Sequence, residues 1–200
     1  MLVTLIRHGE VTGRAQVLRG RSDDALIERG YQQMHDIVAT IEPAITTIAC
    51  SPLRRCHAFA IALSETRQLP LEIISDLREI DFGDWENLTL AEAESRDPEC
   101  FDMFKHQTEH WCPPNGESYD HFRQRARSAL KQMIVIDTKH LLAVTHGGVI
   151  RALLAECLHL SPASAARIGI PLAGMCQLWI DKQGVGSLLR LNWLDAPCAH

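Results

Sequence analysis

The 200-residue chain is long enough for one domain that buries about 70% of the surface its unfolded state exposes. Its hydrophobic content of 46% and charged content of 22% are typical of a globular protein. The net charge of −5 excludes a general electrostatic attraction to nucleic acid or to an anionic membrane, so neither is an expected partner.

The first part of the chain alternates apolar segments with a helical pattern. Residues 2–6 are mostly apolar and predict a short buried strand, and 46–50 (TTIAC) predict a second one. Between these strands, apolar residues recur at helical spacing and predict a helix over 28–41.

A second helix and an irregular stretch follow. Ser51 precedes Pro52, a pair typical of an N-cap and a first helical residue, so we expect a helix to begin there. Residues 71–74 predict a third short strand. The polar stretch 86–117 contains three prolines and only short helical patterns, so we interpret it as an insertion or lid rather than core.

The last part contains the clearest strand, 140–145 (HLLAVT). A long helix capped by Ser118 is predicted before it, and the segment 146–158 turns into another helix after it. Two late strands are predicted over 174–180 and 187–193. The first of these is a candidate sheet edge for pairing across a homodimer.

Strands that alternate with helices predict an α/β fold, with a mostly parallel central sheet flanked by helices in three layers. We expect a single domain over residues 1–200, with 86–117 as a small helical lid. Ligands of such sheets bind beyond the carboxyl ends of the strands. Two strands end alike, in LIRHG and AVTHGG, so we expect His8 and His146 to meet in one crevice.

Compartment and metal content are suggested by what the sequence lacks. No apolar run reaches the ~18 residues of a membrane helix, and the chain does not open with the basic segment of a secretory signal. The seven cysteines are scattered without a C-x-x-C pair, which favours reduced thiols. Histidines and cysteines lack zinc-site spacing. We therefore expect a cytoplasmic protein without a metal.

The two histidines suggest phosphate chemistry. A lone histidine at a strand end most often packs under a turn, but here Arg7 precedes His8. Arg54 and Arg55 open the helix after the second strand, where guanidinium and backbone N–H groups suit a tetrahedral oxyanion. A phosphate held beside His8 and His146 indicates phosphoryl transfer, in which a neutral imidazole nitrogen attacks phosphorus.

A departing alkoxide also needs a proton from a carboxylic acid. Glu79 and Asp81 in REIDFGDWE are the candidates, and the alternative is that both are ordinary surface carboxylates. Arg14, Arg19 and Arg21 lie in the loop after the first histidine. They are either solvated or extend a basic rim around the site.

Four segments give the sequence a specific resemblance. LIRHGE, SPLRRC, LREIDFGDWE and VTHGGVIRALL resemble the signature segments of the histidine phosphatase superfamily, whose fold is phosphoglycerate mutase-like. They occur in that family's order and span residues 5–154. RHG alone would be a weak signal, whereas four ordered segments rarely coincide.

The resemblance implies roles that the residue pattern left open. It implies that His8 is the nucleophile and that Arg7 and Arg55, the second of the two adjacent arginines, hold the phosphate. His146 resembles the histidine that bonds a phosphoryl oxygen, and Glu79, rather than the nearby aspartate, aligns with the general acid. The family uses no metal for catalysis, so we expect no cofactor.

Four positions depart from the family pattern, and one of them is Ala25, which stands where relatives have proline. Val11 stands where the family usually has threonine, and Arg14 where it has an asparagine that contacts phosphate. Arg14 therefore either replaces that contact with a charge or points into solvent. Ile27 stands where relatives have a threonine that caps the next helix, and isoleucine cannot cap.

The compact length, FGDWE and PPNGES most resemble the α-ribazole-5′-phosphate phosphatase branch of the family, which acts in cobalamin assembly. This resemblance implies a small phosphomonoester substrate whose base stacks on Trp111 or His110, unless the tryptophan packs internally. The acidic stretch after FGDWE disfavours a phosphoglycerate mutase. Remaining alternatives are a broad sugar- or nucleotide-phosphate phosphatase, a fructose-2,6-bisphosphatase-like enzyme, and a phosphate-binding module without catalysis.

Overall fold

The computed structural model describes residues 1–106 and 108–192. One sheet forms its centre, with strand order β3-β2-β4-β1-β5-β6. The first four strands in sequence run parallel to one another, whereas β5 pairs antiparallel with β1 and with β6, which confirms a mostly parallel central sheet. The strands are β1 (Leu2–Arg7), β2 (Thr47–Cys50), β3 (Leu71–Ile73), β4 (His140–Thr145), β5 (Met175–Ile180) and β6 (Gly186–Asn192).

Helices connect these strands and cover both faces of the sheet. They are α1 (Glu28–Ala39), α2 (Arg54–Arg67), α3 (Leu90–Arg96), α4 (Pro98–His106), α5 (Tyr119–Ile134), α6 (Gly147–Leu158) and α7 (Pro162–Ala166). Short 3-10 turns occur at Ser75–Leu77, Gly83–Trp85 and Thr108–His110. No helix in the described part of the chain is long and apolar enough to cross a membrane.

Alternate residues of the strands point to opposite faces of the sheet. Helices pack on both faces, so the sheet is the middle of three layers. Val3 and Leu5 of β1 pack in an apolar cluster with residues of α5 and α6. Ile6 packs on the other face, in a second cluster with residues of α1 and α2. The predicted α/β architecture with helices on both faces is confirmed.

Local cap signals were read correctly at one helix and wrongly at another. Ser118 caps α5 as predicted, because its hydroxyl accepts the N–H of His121 at 3.3 Å. Ser51 does not cap α2, which begins only at Arg54 after Leu53. The Ser51 hydroxyl is buried and lies 2.8 Å from Nε2 of His146, so a tertiary contact has replaced the expected cap.

The late strands differ from their predicted positions in the sheet. The strand over 174–180 is present as β5, but it is not an edge, because β1 and β6 pair with its two sides. The edge strand on this side of the sheet is β6, whose predicted last residue, Trp193, lies outside the described residues. Pairing across a homodimer stays a prediction.

The stretch 86–117 contains short helices, as its sequence suggested, but part of it belongs to the core. Phe101 and Trp111 are each 2% exposed and pack in the same cluster as Trp85. The short helix α7 was not predicted, although Ser161 before Pro162 is the kind of pair that marks a helix start. Movement of this stretch as a lid stays a prediction.

Candidate active site

The register of two neighbouring strands brings His8 and His146 together. Arg7 at the end of β1 pairs with Thr145 at the end of β4, and the next residue on each strand is a histidine. The N–H of His8 donates to the carbonyl of Thr145 at 3.0 Å. The two imidazole centroids are 5.4 Å apart at an interplanar angle of 62°. The structure thus places both histidines at the carboxyl edge of the parallel strands.

The hydrogen bond at Nδ1 determines the tautomer of His8. Nδ1 lies 2.8 Å from the carbonyl oxygen of Gly9. A carbonyl oxygen can only accept, so Nδ1 carries the proton and Nε2 keeps its lone pair. His8 is 5% exposed, so its ring is largely shielded from bulk solvent.

His146 has the opposite tautomer. Nε of Arg55 donates to its Nδ1 at 3.2 Å, so the ring proton of His146 is on Nε2. That N–H donates to the Ser51 hydroxyl at 2.8 Å, and the ring is completely buried. His146 is therefore a fixed hydrogen-bond donor, whereas His8 is a fixed acceptor at Nε2.

Two arginines supply the positive charge of the site. Nη1 of Arg7 donates to the carbonyl of Ile170 at 2.7 Å, and among the described residues its buried Nε has no partner. The Arg7 side chain passes over the start of α6, since an added Cβ on Gly147 would lie 3.5 Å from its Nε. Arg7 thus has an N–H free for an anion at a helix N-terminus.

Arg55 is completely buried and is held by more hydrogen bonds than Arg7. Besides its bond to His146, its Nη groups donate to the carbonyls of Arg19, Gly20 and Ser22 at 3.4, 2.9 and 2.5 Å. These bonds occupy four of the five guanidinium N–H groups, so within the described chain one is left for a phosphoryl oxygen. The neighbouring Arg54 adds no side-chain bond to this network among the residues that the structure describes, and its backbone N–H donates to Asp23.

The two carboxylate candidates lie in different surroundings. Glu79 is half-buried, and its Oε2 accepts the N–H of Gly148 in the first turn of α6 at 2.9 Å. Asp81 instead pairs with the exposed Arg21 at 3.0 Å and accepts the N–H of Gly83. The geometry favours Glu79 as the carboxyl group that faces the histidines, because it shares the α6 N-terminus with His146.

Burial and like charge keep both imidazoles neutral. Burial, followed by the Arg7 and Arg55 guanidinium groups, holds the pKa of His8 well below its usual 6.5. Burial and Arg55 lower the pKa of His146 in the same direction. Burial also lowers the pKa of Arg7 to about 10, against the opposing attraction of Glu79, so Arg7 stays charged at neutral pH.

The predicted substrate contacts on the first loop are engaged elsewhere. Arg14 forms a 2.9 Å ion pair with Glu92 and donates to the carbonyl of Asn87. Arg21 pairs with Asp81, and its side chain is 77% exposed. In this conformation neither arginine is bonded to a member of the histidine site. The Arg14–Glu92 pair thus links the loop after His8 to the first turn of α3.

The predicted stacking residues lie apart from each other. Trp111 packs with its ring centroid 5.6 Å from that of Trp85 and 4.9 Å from that of Phe104, and it is buried. It is therefore placed in the aromatic core rather than on a surface where a substrate base could stack. His110, in contrast, is exposed in the 3-10 turn before it.

Two features of the site were not found from the sequence. The Ser51 contact with His146 was missed, although Ser51 belongs to the SPLRRC segment. The close approach of Gly148 to Glu79 was also missed, although the double glycine in THGG was a signal for it. Within the described residues, no group of three or more His, Cys, Asp or Glu side chains is arranged to hold a metal.

Comparisons with known proteins match this arrangement. The model of the histidine phosphatase superfamily (branch 1) matches residues 3–194. Adenosylcobalamin/alpha-ribazole phosphatase of Escherichia coli (strain K12) is 29% identical over 195 residues, which cover 96% of this chain and 91% of that protein. Metal-independent phosphoserine phosphatase of Arabidopsis thaliana is 32% identical over 173 residues, 82% of this chain and 70% of that protein.

Solved structures share the fold. The crystal structure of the alpha-ribazole phosphatase from Shigella flexneri superposes with a TM-score of 0.82 at 28% identity, and the match covers 96% of each chain. The overall three-layer arrangement is therefore shared with that protein.

Proposed function

This chain belongs to the histidine phosphatase superfamily and is a phosphatase, and we propose that it hydrolyses α-ribazole 5′-phosphate through a phosphohistidine on His8. The observation that supports this mechanism best is the free lone pair on Nε2 of His8, under the electrostatic influence of Arg7 and Arg55. A buried, neutral imidazole with a fixed tautomer is prepared to attack phosphorus.

In the first proposed step, Nε2 of His8 forms a bond to phosphorus as the phosphorus–oxygen bond to the alcohol breaks. The alcohol oxygen takes the carboxyl proton of Glu79, which leaves Glu79 as a carboxylate. Arg7 and Arg55 offset the charge of the phosphoryl oxygens, and Nε2–H of His146 donates to one of them in place of the Ser51 hydroxyl.

In the second proposed step, water attacks the phosphohistidine and gives its proton to Glu79. The nitrogen–phosphorus bond breaks, inorganic phosphate forms, and His8 and the Glu79 carboxyl group return to their starting states. Over the two steps, one water is consumed, and the alcohol and inorganic phosphate are released. The step needs no metal ion, since the guanidinium groups supply the positive charge.

The proposed substrate rests on the relatives rather than on the site. The named activity of the Escherichia coli relative, and of the Shigella structure, supports α-ribazole 5′-phosphate. Phosphoserine is the second candidate, because a relative of similar identity is named for it. Both are small phosphomonoesters. We place the reaction in the cytoplasm, since the six described cysteines are all free thiols.

The mechanism is tested with p-nitrophenyl phosphate in the presence of chelator. We expect His8→Ala to lose about 1,000-fold or more in kcat, since it removes the nucleophile. The matched control is His106→Ala, which removes an exposed histidine that pairs with Asp102 at 2.8 Å. An alkaline quench of the wild type should show a phosphoryl group bound to His8 by mass spectrometry. Equal rates for wild type and His8→Ala would exclude the mechanism.

The substrate is tested by ranking kcat/KM for α-ribazole 5′-phosphate, phosphoserine, 3-phosphoglycerate and common sugar phosphates. The proposal predicts that α-ribazole 5′-phosphate leads by about 10-fold or more, which corresponds to one or two well-formed contacts. A lead for phosphoserine would support the second candidate. A flat ranking would indicate a broad phosphatase and would contradict the specific assignment.

A further inference from the structure

The carboxylate of Glu86, outside the histidine site, accepts hydrogen bonds from several backbone N–H groups. Oε1 of Glu86 accepts from Gly20, Arg21 and Phe82 at 3.1, 2.8 and 3.1 Å. Its Oε2 accepts from Gly20 and Ser22 at 3.2 and 3.3 Å. Glu86 therefore binds three consecutive N–H groups of the loop 20–22, which is a strong anchor because each bond is charge-assisted.

The carbonyl groups of the same loop bind Arg55, the second of the two proposed phosphate-binding arginines. The carbonyls of Gly20 and Ser22, whose N–H groups point to Glu86, accept from the Nη groups of Arg55. The carbonyl of Arg19 accepts from the same guanidinium group. The loop is thus held between a carboxylate and a guanidinium group, with its N–H groups on one and its carbonyls on the other.

The placement of the loop between Glu86 and Arg55 needs a glycine and a rigid support. A Cβ added to Gly20 would lie 1.9 Å from the carbonyl oxygen of Ile80 and 2.4 Å from Oε1 of Glu86, so only glycine lets the loop come this close. Glu86 follows Trp85, which is completely buried in the apolar core. The carboxylate is therefore fixed to the core, and the loop is fixed to the carboxylate.

We propose that Glu86 is a positioning residue that holds Arg55 in its phosphate-binding orientation through the loop 19–22. Four of the five N–H groups of Arg55 are satisfied by His146 and this loop, so the loop decides where the remaining N–H points. Glu86 acts through this loop, because both of its carboxylate oxygens accept backbone N–H groups. The inference rests on the proposed function, in which Arg55 binds the phosphoryl group.

The test measures the affinity for inorganic phosphate, by calorimetry and by competitive inhibition. In Glu86→Gln, an amide group replaces one acceptor oxygen and faces N–H donors, so the loop loses part of its anchor. We expect phosphate affinity and kcat/KM to fall about 10-fold, and more in Glu86→Ala. Circular dichroism confirms folding. Unchanged phosphate affinity in folded Glu86→Gln would overturn the proposal.

The matched control is Asp181→Asn. Asp181 also accepts two backbone N–H groups, from Gln183 and Val185 at 2.9 Å each, but it lies in the β5–β6 turn. This variant should keep full phosphate affinity even where it loses stability. An equal loss of affinity in Asp181→Asn would mean that any weakened turn has this effect, and would contradict a specific role for Glu86.

A double-mutant cycle identifies the route of the effect. Arg55→Lys should weaken phosphate binding by itself, because lysine lacks the fork that binds the loop. Adding Glu86→Gln to it should then cause little further loss. Fully additive losses would overturn the proposed route through Arg55. Retained turnover in His8→Ala would instead refute the phosphohistidine, and the phosphate affinities would still decide the role of Glu86.

Discussion

The N–H of Gly148 donates to Oε2 of Glu79 at 2.9 Å, and an added Cβ at this position would lie 2.4 Å from Oε1 of the same carboxyl group. Gly148 therefore binds Glu79 through its N–H, and the absence of a side chain on Gly148 leaves room for the Glu79 carboxyl group. Because α6 follows His146 directly, this contact fixes the distance between the proposed acid and the proposed phosphate site.

Gly148→Ala should displace Glu79 without unfolding the protein. The atom that must move is the end of a flexible side chain, so we expect a loss of stability of at most about 1 kcal/mol. The misplaced acid should lower kcat about 100-fold, within the range of general acid catalysis. Gly169→Ala is the control, since an added Cβ there meets nothing within 4 Å. A wild-type kcat in Gly148→Ala would show that Glu79 does not act from its observed position.

The lowered pKa of His8 determines the acid side of the pH–rate profile. Burial and the two guanidinium groups hold this pKa well below 6.5, so the nucleophile stays neutral at pH values where an ordinary histidine is protonated. We expect kcat/KM to remain high below pH 6.5 and to fall only at lower pH. A midpoint near 6.5 that stays the same for phosphate esters of different second pKa would contradict the geometry, because it would indicate a solvated imidazole.

The same shifts make folding stability depend on pH. In the unfolded state His8 and His146 bind protons near their usual pKa of 6.5, whereas the folded state binds them only at lower pH. Their contribution is thus complete above pH 6.5 and is lost as the pH falls, by up to about 1.4 kcal/mol per unit for each. Urea unfolding between pH 7 and 5 measures this slope. His8→Asn should have a shallower slope than the wild type, and an unchanged slope would refute the assignment to His8.

Trp111 should behave as a core residue. Its ring packs against Trp85, Phe104 and Phe82, so Trp111→Phe should lower stability by about 1–3 kcal/mol and leave the KM of the folded enzyme unchanged. His110→Ala, at an exposed neighbour, should change stability by less than about 0.5 kcal/mol. A raised KM in Trp111→Phe at unchanged stability would restore the stacking role that its sequence suggested.

The fold was predictable because its signals are local. Apolar spacing marked the strands and most helices, and alternation of the two types is enough to indicate an α/β sheet. The cap at Ser51 was misread because the same hydroxyl has a long-range alternative, Nε2 of His146, which no local pattern contains. The inner position of β5 was missed for a similar reason, since strand order in a sheet depends on nonlocal pairing.

The candidate site was predictable only as far as its residues follow strand ends. His8 and His146 could be paired from their matching positions, while the resemblance to a family was needed to separate Arg55 from Arg54. The contacts of Arg14 and Trp111 in the folded protein depend on residues that are distant in the sequence. The sequence pattern around an arginine in a loop, or a tryptophan in a polar stretch, is the same whether the side chain contacts substrate or other residues of the protein.

Arg125 of α5 ties the segment that precedes Glu79 to the rest of the protein. Its guanidinium group binds the carboxylate of Glu117 at 3.0 and 2.7 Å and the carbonyls of Asp76, Arg78 and Glu79 at 2.8, 2.6 and 3.3 Å. Both side chains of the ion pair are about nine-tenths buried, at 9% and 10% exposure. The loss of Arg125 would leave the buried Glu117 carboxylate without its guanidinium partner, beside the exposed His121 at 2.9 Å.

Arg125→Met should therefore destabilise the protein by about 3–5 kcal/mol in urea unfolding, and it should lower kcat in the fraction that folds, because the chain around Glu79 loses its support. Arg127→Ala is the control on the same helix. Arg127 also pairs with a glutamate, Glu156, at 2.8 Å, but its side chain is 50% exposed, so less than about 1 kcal/mol should be lost. Equal losses in the two variants would mean that burial of the Arg125 pair does not determine its contribution. A folded Arg125→Met with wild-type kcat would show that the position of Glu79 does not depend on these carbonyl contacts.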